Sequence, residues 1–157
     1  MTPTISPGAL RSATDLFGKV RRDAKLLQDE LSSDRVFNLV VTAYSLIDWI
    51  KNDPAVPAAA KQPSEIDSLY GDRWLKLCGD LATAAKHFEL TQRSLTAAGV
   101  AAEQGYGMGR FEKGGYDVGE EQTSVHLPDG SAHGVLEMVQ GAQRTWQTFF
   151  ARHGIAI

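Results

Sequence analysis

Residues 77–90, LCGDLATAAKHFEL, hold the side chains whose types and spacing are best suited to chemistry. Asp80, Thr83 and His87 fall within about 60° of one another on a helical wheel, and Thr83 is placed to reach His87 one turn away. An imidazole titrates near neutral pH, so His87 with Asp80 and Lys86 as support has the composition of a general acid–base site. The same strip lies opposite the apolar arc of the predicted helix, which is also typical of a solvated helix face.

A second group of candidates interrupts the apolar surface of the preceding helix. Asn38 and Thr42 form a narrow polar strip there, and both are candidates for lining a groove that faces a neighbouring helix or subunit. Asp48 stands on the edge of the apolar face, where it is a candidate ion-pair partner for Lys86 or His87 across the bundle. The alternative is purely structural, because threonine hydroxyls in helices often bond to carbonyls of their own helix.

The segment 99–119, which holds seven of the fifteen glycines, is the candidate for nucleic-acid contacts. Arg110 and Lys113 alternate with Phe111 and Tyr116, and such interleaving allows bases to stack on rings while cations hold phosphates. Each glycine costs about 1 kcal/mol relative to alanine in a helix, so we expect a long loop here, in which one irregular strand is the alternative left open. A mobile surface loop that binds nothing is the alternative.

The sequence does not favour a metal or cofactor site. His126 and His133 lie on the two strands of a predicted hairpin, but two histidines without a third ligand are insufficient for a typical zinc site. Cys78 falls on the apolar arc of its helix and is expected in the core. The chain has no GxxxxGK[ST] loop and no GxSxG or HExxH motif. We therefore expect neither a cofactor nor a metal ion.

Length and composition restrict the class of protein. The chain has 157 residues and a mass of 17.1 kDa, with 43% hydrophobic and 22% charged residues, which fits one globular domain. A net charge of −3 argues against a strongly basic nucleic-acid-binding surface, and a single cysteine excludes an intramolecular disulfide. No secretory signal is recognisable and no window approaches the roughly 18 apolar residues of a membrane span, so we expect a cytoplasmic protein without membrane contact.

The hydrophobic pattern predicts four main helices. Apolar residues recur at spacings of three and four. The run Ser32-Ser33-Asp34 offers an N-cap for the second helix, and Asp72 is placed to cap the third. The second helix is apolar around most of its circumference, which is typical of a central helix. Pro128-Asp129-Gly130 predicts a tight turn between two short strands. The predicted helices are Ala13–Leu31, Asp34–Lys51, Arg73–Leu90 and Leu136–His153, with a short helix capped by Ser64 and ending at Gly71.

These elements predict a mainly α protein, an up-and-down helical bundle with a small β-hairpin inserted before the C-terminal helix. Residues 1–12 are expected to form a flexible N-terminal arm, and residues 13–157 a single helical-bundle domain. Within that domain we expect a glycine-rich loop at 99–119 and the hairpin at 122–135.

Two segments together resemble a family of uncharacterised bacterial helical proteins: FNLVVTAYSLIDWIKN in the second helix and WLKLCGDLATAAKHFEL in the third. A motif of the form C-x-D/H-L-A-x-x-x-KHFE recurs in that family. The resemblance covers about residues 17–150, and the matching positions are Asp48, Trp49, Cys78, Leu81, Ala82, Lys86, His87, Phe88 and Glu89.

More loosely, an acidic helical bundle with a histidine on an inner helix is similar to the HEPN superfamily. Many of its members are ribonucleases of toxin–antitoxin and anti-phage systems, and their signature is an arginine and a histidine separated by four to six residues. Asp80, Leu81 and Ala82 occupy the corresponding positions before His87. This resemblance therefore implies a shared fold rather than a shared catalytic motif.

Two functions are expected on these grounds. The first is a small non-enzymatic interaction or regulatory module, which we expect to form a homodimer because a bundle of this size struggles to surround so apolar a second helix. The alternative is a HEPN-like RNA-directed nuclease or an inactive relative of one. In that alternative His87 is the general base, Asp80 and Lys86 support it, and Arg110 or Lys113 holds phosphate.

Overall fold

The computed structural model describes residues 8–87, 99–103, 122–126 and 132–157. Helices dominate this part of the chain, which confirms the predicted mainly α class. None of the described helices is long and apolar enough to cross a membrane. The elements are α1 (Ala13–Asp29), α2 (Ser33–Asn52), a 3₁₀ helix (Ala58–Lys61), α3 (Pro63–Gly71), α4 (Arg73–His87), β1 (Gly99–Glu103), β2 (Gln122–His126), β3 (Ala132–Gly134) and α5 (Val135–Arg152).

Side-chain caps set the starts of three helices. Ser12 and Ser32 each accept a hydrogen bond from the backbone amide three residues later, in α1 and α2. Asp72 Oδ1 accepts hydrogen bonds from the backbone amides of Trp74 and Leu75, at 3.0 Å each, and so caps α4. The cap predicted at Ser64 is wrong. Helix α3 begins earlier, at Pro63, because the fixed φ of proline suits the first helical turn and its missing amide needs no partner there.

Helix α2 lies at the centre of the core and contacts α1, α3, α4 and α5. Most of its apolar side chains are buried, and Leu39, Leu46 and Ile50 are completely so. Trp146 of α5 reaches this helix and donates a hydrogen bond from Nε1 to the Ala43 carbonyl at 3.0 Å. The apolar circumference of the second helix therefore predicted its central position correctly.

Helices α1 and α5 lie side by side and run in opposite directions. The Thr14 hydroxyl near the start of α1 donates to the Ala156 carbonyl beyond the end of α5, at 3.0 Å. One turn further along α1, the Phe17 ring contacts the Phe150 ring of α5 with centroids 4.8 Å apart. Because these contacts fix the spacing of the two helices, they also fix the surface between them.

Two glycines allow close approach of helices around α4. A Cβ atom at Gly79 would lie 2.5 Å from the Tyr44 ring of α2, and one at Gly141 would lie 2.3 Å from the Trp74 ring. Both distances are shorter than any real Cβ contact, so the aromatic rings occupy the space that a side chain would need. Helix α4 is therefore held closely by α2 on one side and by α5 on another.

The three strands form an antiparallel sheet in the order β1-β2-β3. Strand β1 occupies the first five residues of the segment predicted as a glycine-rich loop, and the rest of that loop lies outside the described residues. The turn predicted at Pro128-Asp129-Gly130 also lies outside them. In the predicted N-terminal arm, the described residues include Leu10, which packs against the core, and Ser12, which caps α1.

Candidate functional site

Asp80 on α4 is the one predicted catalytic residue whose side chain the structure describes. It is only 2% exposed, so the interpretation of its strip as a solvated helix face is wrong at this position. The buried arc of α4 is wider than one face because α2 covers the helix at Gly79 and α5 covers it at Trp74. Lys76 lies four residues earlier on the same side of α4 and is exposed. The strip therefore divides into a solvated part and a buried part.

Thr83 was expected to reach toward His87, but its hydroxyl bonds in the opposite direction along the helix. Thr83 Oγ1 donates a hydrogen bond to the Gly79 carbonyl at 2.8 Å, one turn back in α4. This bond uses the hydroxyl proton and is common for threonine in helices. The backbone of α4 continues through Lys86 and His87, whose side chains lie outside the description. The catalytic roles of those two residues stay predictions.

Asp48 lies at the surface of the bundle, where its side chain is 68% exposed and pairs with Lys51 at 3.3 Å in the same helix. The Lys51 ammonium also lies 5.9 Å from the centroid of the Tyr70 ring on α3. The hydrogen bond to Asp48, and then the proximity of Tyr70, raise the pKa of Lys51 above its usual value. The ion pair predicted between Asp48 and Lys86 or His87 stays a prediction, because the side chains of those two partners lie outside the described part of the structure.

The polar strip of α2 faces α1 and forms part of the contact between these helices. Thr42 Oγ1 donates to the Asn38 carbonyl at 2.6 Å and accepts a hydrogen bond from Lys19 Nζ of α1 at 2.9 Å. Lys19 also pairs with Asp23 one turn further along α1. Thr42 is buried and the Asn38 side chain is exposed. These bonds satisfy the buried polar atoms, which is the structural alternative considered for this strip.

The described structure does not test the remaining candidate ligand-binding residues. Arg110 and Lys113 lie outside the described ranges, so their phosphate contacts stay predictions. His126 and His133 lie on adjacent strands but are not direct partners in the register. Among the residues that the structure describes, no group of three or more His, Cys, Asp or Glu side chains is positioned to hold a metal ion.

Cys78 lies in the core, as its place on the apolar arc predicted. Its side chain is completely buried, and burial, followed by the charge of Asp72, raises the pKa of the thiol to about 12. A nucleophilic cysteine needs a thiolate and access to substrate, and this residue has neither at neutral pH. Cys78 is therefore a structural residue.

A groove between α1 and α5 is a concave surface that was not predicted from the sequence. It has a volume of about 460 Å³ and lies beside the contact between the Phe17 and Phe150 rings. Both helices contribute to it, together with the segment that follows α5. Its lining residues are Phe17, Arg21, Gln140, Gln143, Arg144, Gln147 and Ile157.

The lining of the groove consists of cations and amides around a small apolar floor. The four residues from α5 follow the spacing i, i+3, i+4 and i+7, so they form one stripe about 10 Å long on the helix surface. Arg21 and Arg144 make no ion pair or hydrogen bond with any other residue in the described ranges. None of the lining side chains is a carboxylate, imidazole, thiol or hydroxyl. The groove can therefore bind an anion, but it has no group suited to proton transfer near neutral pH.

The signal for this stripe was present in the sequence of the last helix. Gln140, Gln143, Arg144 and Gln147 recur at helical spacing opposite the apolar residues, and a polar face of this kind is ordinary for a surface helix. Only the packing of α1 against α5 brings Arg21 to the same cavity and distinguishes the stripe from a plain solvated face.

Comparison with known proteins found no matching family model, no matching curated protein and no matching solved structure. The resemblances to the KHFE-type family and to HEPN proteins therefore stay expectations. The groove has to be interpreted from its own residues.

Proposed function

We propose that this protein is a non-enzymatic interaction module, built as an up-and-down helical bundle with a β-hairpin before α5, and that it recognises its partner in the α1–α5 groove. One observation carries the proposal. Arg21 and Arg144 border the same cavity and make no ion pair or hydrogen bond with a residue of the described ranges, and three glutamines line the cavity with them. Guanidinium groups form strong, directional hydrogen bonds with carboxylates and phosphates, so this pair is suited to an external anion.

Binding is favoured over catalysis because of what surrounds the two arginines. Glutamine and arginine side chains keep one protonation state through the physiological pH range, and neither is an ordinary nucleophile. Asp80, by contrast, is buried in α4, and Asp48 is exposed and paired with Lys51. The described candidates for acid–base chemistry therefore lie in different environments and outside the groove lining.

The proposal includes self-association, but an uncovered apolar α2 is not the reason for it. Within the single chain, α2 is covered by its neighbouring helices, and Phe37, at 45%, is its one large apolar residue that is substantially exposed. A homodimer would therefore form through a surface other than an uncovered face of α2. Sedimentation velocity at low micromolar concentration tests this part, and a clean monomer would remove it.

The binding proposal is tested with a panel of probes from three classes: small organic anions, an acidic helical peptide and a single-stranded RNA. Isothermal titration calorimetry should detect at least one class with the wild-type protein, and the bound probe should be recovered chemically unchanged. The double variant Arg21→Met/Arg144→Met should lose the binding, while Arg22→Met, an exposed arginine of α1 outside the groove, should keep it. Absence of binding by every class, or turnover of a probe, would overturn the proposal.

A second candidate function is the RNA-directed nuclease, and the buried carboxylate of Asp80 on the helix that carries His87 favours it. Aspartate is rarely buried this completely, so its burial on the helix of the candidate histidine is a reason to test this face of α4. This candidate requires cleavage of RNA by the wild-type protein and its loss in His87→Ala, with Lys76→Ala, an exposed position on the same helix, as the control. Intact RNA after long incubation would exclude catalysis.

A further inference from the structure

We infer that the α1–α5 groove binds a small organic anion: a phosphate ester or a carboxylate that also carries hydroxyl or amide groups. This inference rests on the proposed function and specifies its ligand. It commits to the class of occupant, whereas the proposed function requires only that some partner binds in the groove.

The size of the groove fits a small molecule. Its volume of about 460 Å³ falls within the range of roughly 300–1,000 Å³ that is usual for small-molecule sites. The stripe from Gln140 to Gln147 is about 10 Å long, so a ligand that spans it contacts two helical turns. The floor beside Phe17 and Ile157 is the only apolar part of the lining.

The arginines determine the charge of the ligand. Both arginines are exposed and neither makes an ion pair or hydrogen bond with a described residue, so neither has to break a contact within the described ranges before it binds an anion. The chain as a whole carries a net charge of −3, which repels anions at long range. Affinity for an anion therefore has to come from local contacts to Arg21 and Arg144, and not from a general field.

The glutamines determine what the rest of the ligand carries. A carboxamide both donates and accepts hydrogen bonds, so Gln140, Gln143 and Gln147 can pair with hydroxyl or amide groups but gain little from an aliphatic chain. Gln143 is half-buried and the other two are exposed. A ligand with an anionic end and a hydroxylated body uses both kinds of side chain.

Two larger occupants fit the lining less well. An amphipathic helix in a groove needs several apolar contacts from the groove. The apolar lining residues here are Ile157 and Phe17, and Phe17 is only 2% exposed because it is already buried within the protein. Single-stranded nucleic acid binds by stacking its bases on exposed aromatic rings. The Phe17 ring is the only aromatic group in the lining, and it is covered by the Phe150 ring and the core.

The test uses ribose 5-phosphate and citrate as anionic probes, inorganic pyrophosphate as a phosphate without a hydroxylated body, and ribose as the uncharged control. Binding is measured by calorimetry at constant ionic strength. We expect the wild type to bind ribose 5-phosphate or citrate more tightly than pyrophosphate, and not to bind ribose. Loss of one charge-assisted contact should weaken affinity about 10- to 100-fold.

Matched variants separate specific recognition from general attraction. Arg21→Met and Arg144→Met should each produce this loss, and Arg144→Lys should recover only part of it, because lysine keeps the charge but not the planar pair of donors. Arg22→Met removes the same charge from the same helix outside the groove and should change affinity less than about twofold. Circular dichroism checks that each variant is folded.

The outcomes distinguish the inference from the proposed function. Binding of ribose 5-phosphate alone identifies a phosphate ligand, and binding of citrate alone identifies a carboxylate. Equal losses from Arg22→Met and Arg21→Met would overturn the inference, since the attraction would then be non-specific. If the acidic peptide or the RNA binds through Arg21 and Arg144 while the small anions do not, the inference is wrong and the proposed function stands. If no probe of any class binds, both are wrong.

Discussion

Replacement of Gly141 by alanine should destabilise this bundle, although alanine is the better helix former. In an exposed helix interior the change from glycine to alanine is worth about 1 kcal/mol of stabilisation. At Gly141 the new Cβ would lie 2.3 to 2.5 Å from three atoms of the Trp74 ring. An indole ring is rigid and cannot yield as the end of a flexible side chain does, so α4 and α5 must move apart.

The expected loss follows from the balance of these two effects. Overpacking of a core by one methyl group costs roughly 1–3 kcal/mol, and the very short distances at Gly141 place this case near the upper end. After the gain in helix propensity, the net change in the free energy of unfolding is about −2 kcal/mol. For a chain of this length it corresponds to a melting temperature about 4–8 °C lower.

Gly18 in α1 provides the matched control. The nearest atom to a Cβ at this position is Arg22 Nη1, at 3.3 Å, which is the far end of a flexible side chain. Gly18→Ala should therefore show the propensity gain alone and raise stability by up to about 1 kcal/mol. Both variants are compared by urea unfolding, followed by circular dichroism at constant protein concentration.

Equal stability of Gly141→Ala and Gly18→Ala would refute the reasoning, because the Trp74 ring would then not lie against α5. A double-mutant cycle locates the cause. Combined with Trp74→Leu, the alanine at position 141 should cost less than it does alone, since a smaller and more flexible side chain frees the space. An unchanged cost would place the strain elsewhere.

One labelling experiment and two sets of substitutions test the core and the caps. Cys78 should resist a thiol-specific reagent at pH 8 until the protein is unfolded, because burial raises its pKa to about 12 and the thiolate is scarce below that pH; rapid labelling of native protein would contradict this. Asp72→Ala removes the cap of α4 and the acceptor of the Thr145 hydroxyl at 3.0 Å, so urea unfolding should show a loss of about 2 kcal/mol, and Asp72→Asn should lose less. Trp146→Phe removes the hydrogen bond to Ala43 and should cost about 2 kcal/mol; a variant as stable as the wild type would show that the indole does not anchor α5 to α2.

The features that local chemistry determines were predictable from the sequence. Ser32 and Asp72 cap their helices because a short side-chain acceptor beside the first free amides has the same geometry in every helix. The central position of α2 follows from its apolar circumference, which only a surrounded helix can bury. The misplaced cap at Ser64 shows the limit of this approach, since Pro63 competes for the same helix start and local patterns do not rank the two.

Features that depend on packing between distant helices were not predictable in the same way. Asp80 lies opposite the apolar arc of α4. A helical-wheel projection with a single buried face therefore predicts that Asp80 is exposed to solvent. It is buried because two helices approach α4 closely, and that approach depends on single glycines, Gly79 and Gly141, whose partners are far away in the sequence. Arg21 and Arg144 border one groove for a similar reason, because the packing of α1 against α5, which includes the Phe17–Phe150 contact, brings them to the same surface.

The groove is held in place by the core contacts of the same two helices. On α5, the buried residues Trp146 and Phe150 are interleaved with the groove residues Gln143 and Gln147, so the backbone of the binding stripe cannot shift without disturbing the core. Binding therefore has to order only side chains, at roughly 0.5–1.5 kcal/mol for each immobilised one, and not a segment of backbone. A ligand that contacts Arg21 and the α5 stripe together joins the two helices, and by mass action it stabilises the packing that creates its site. Conversely, a core substitution that separates the helices must lower ligand affinity without altering any residue that touches the ligand.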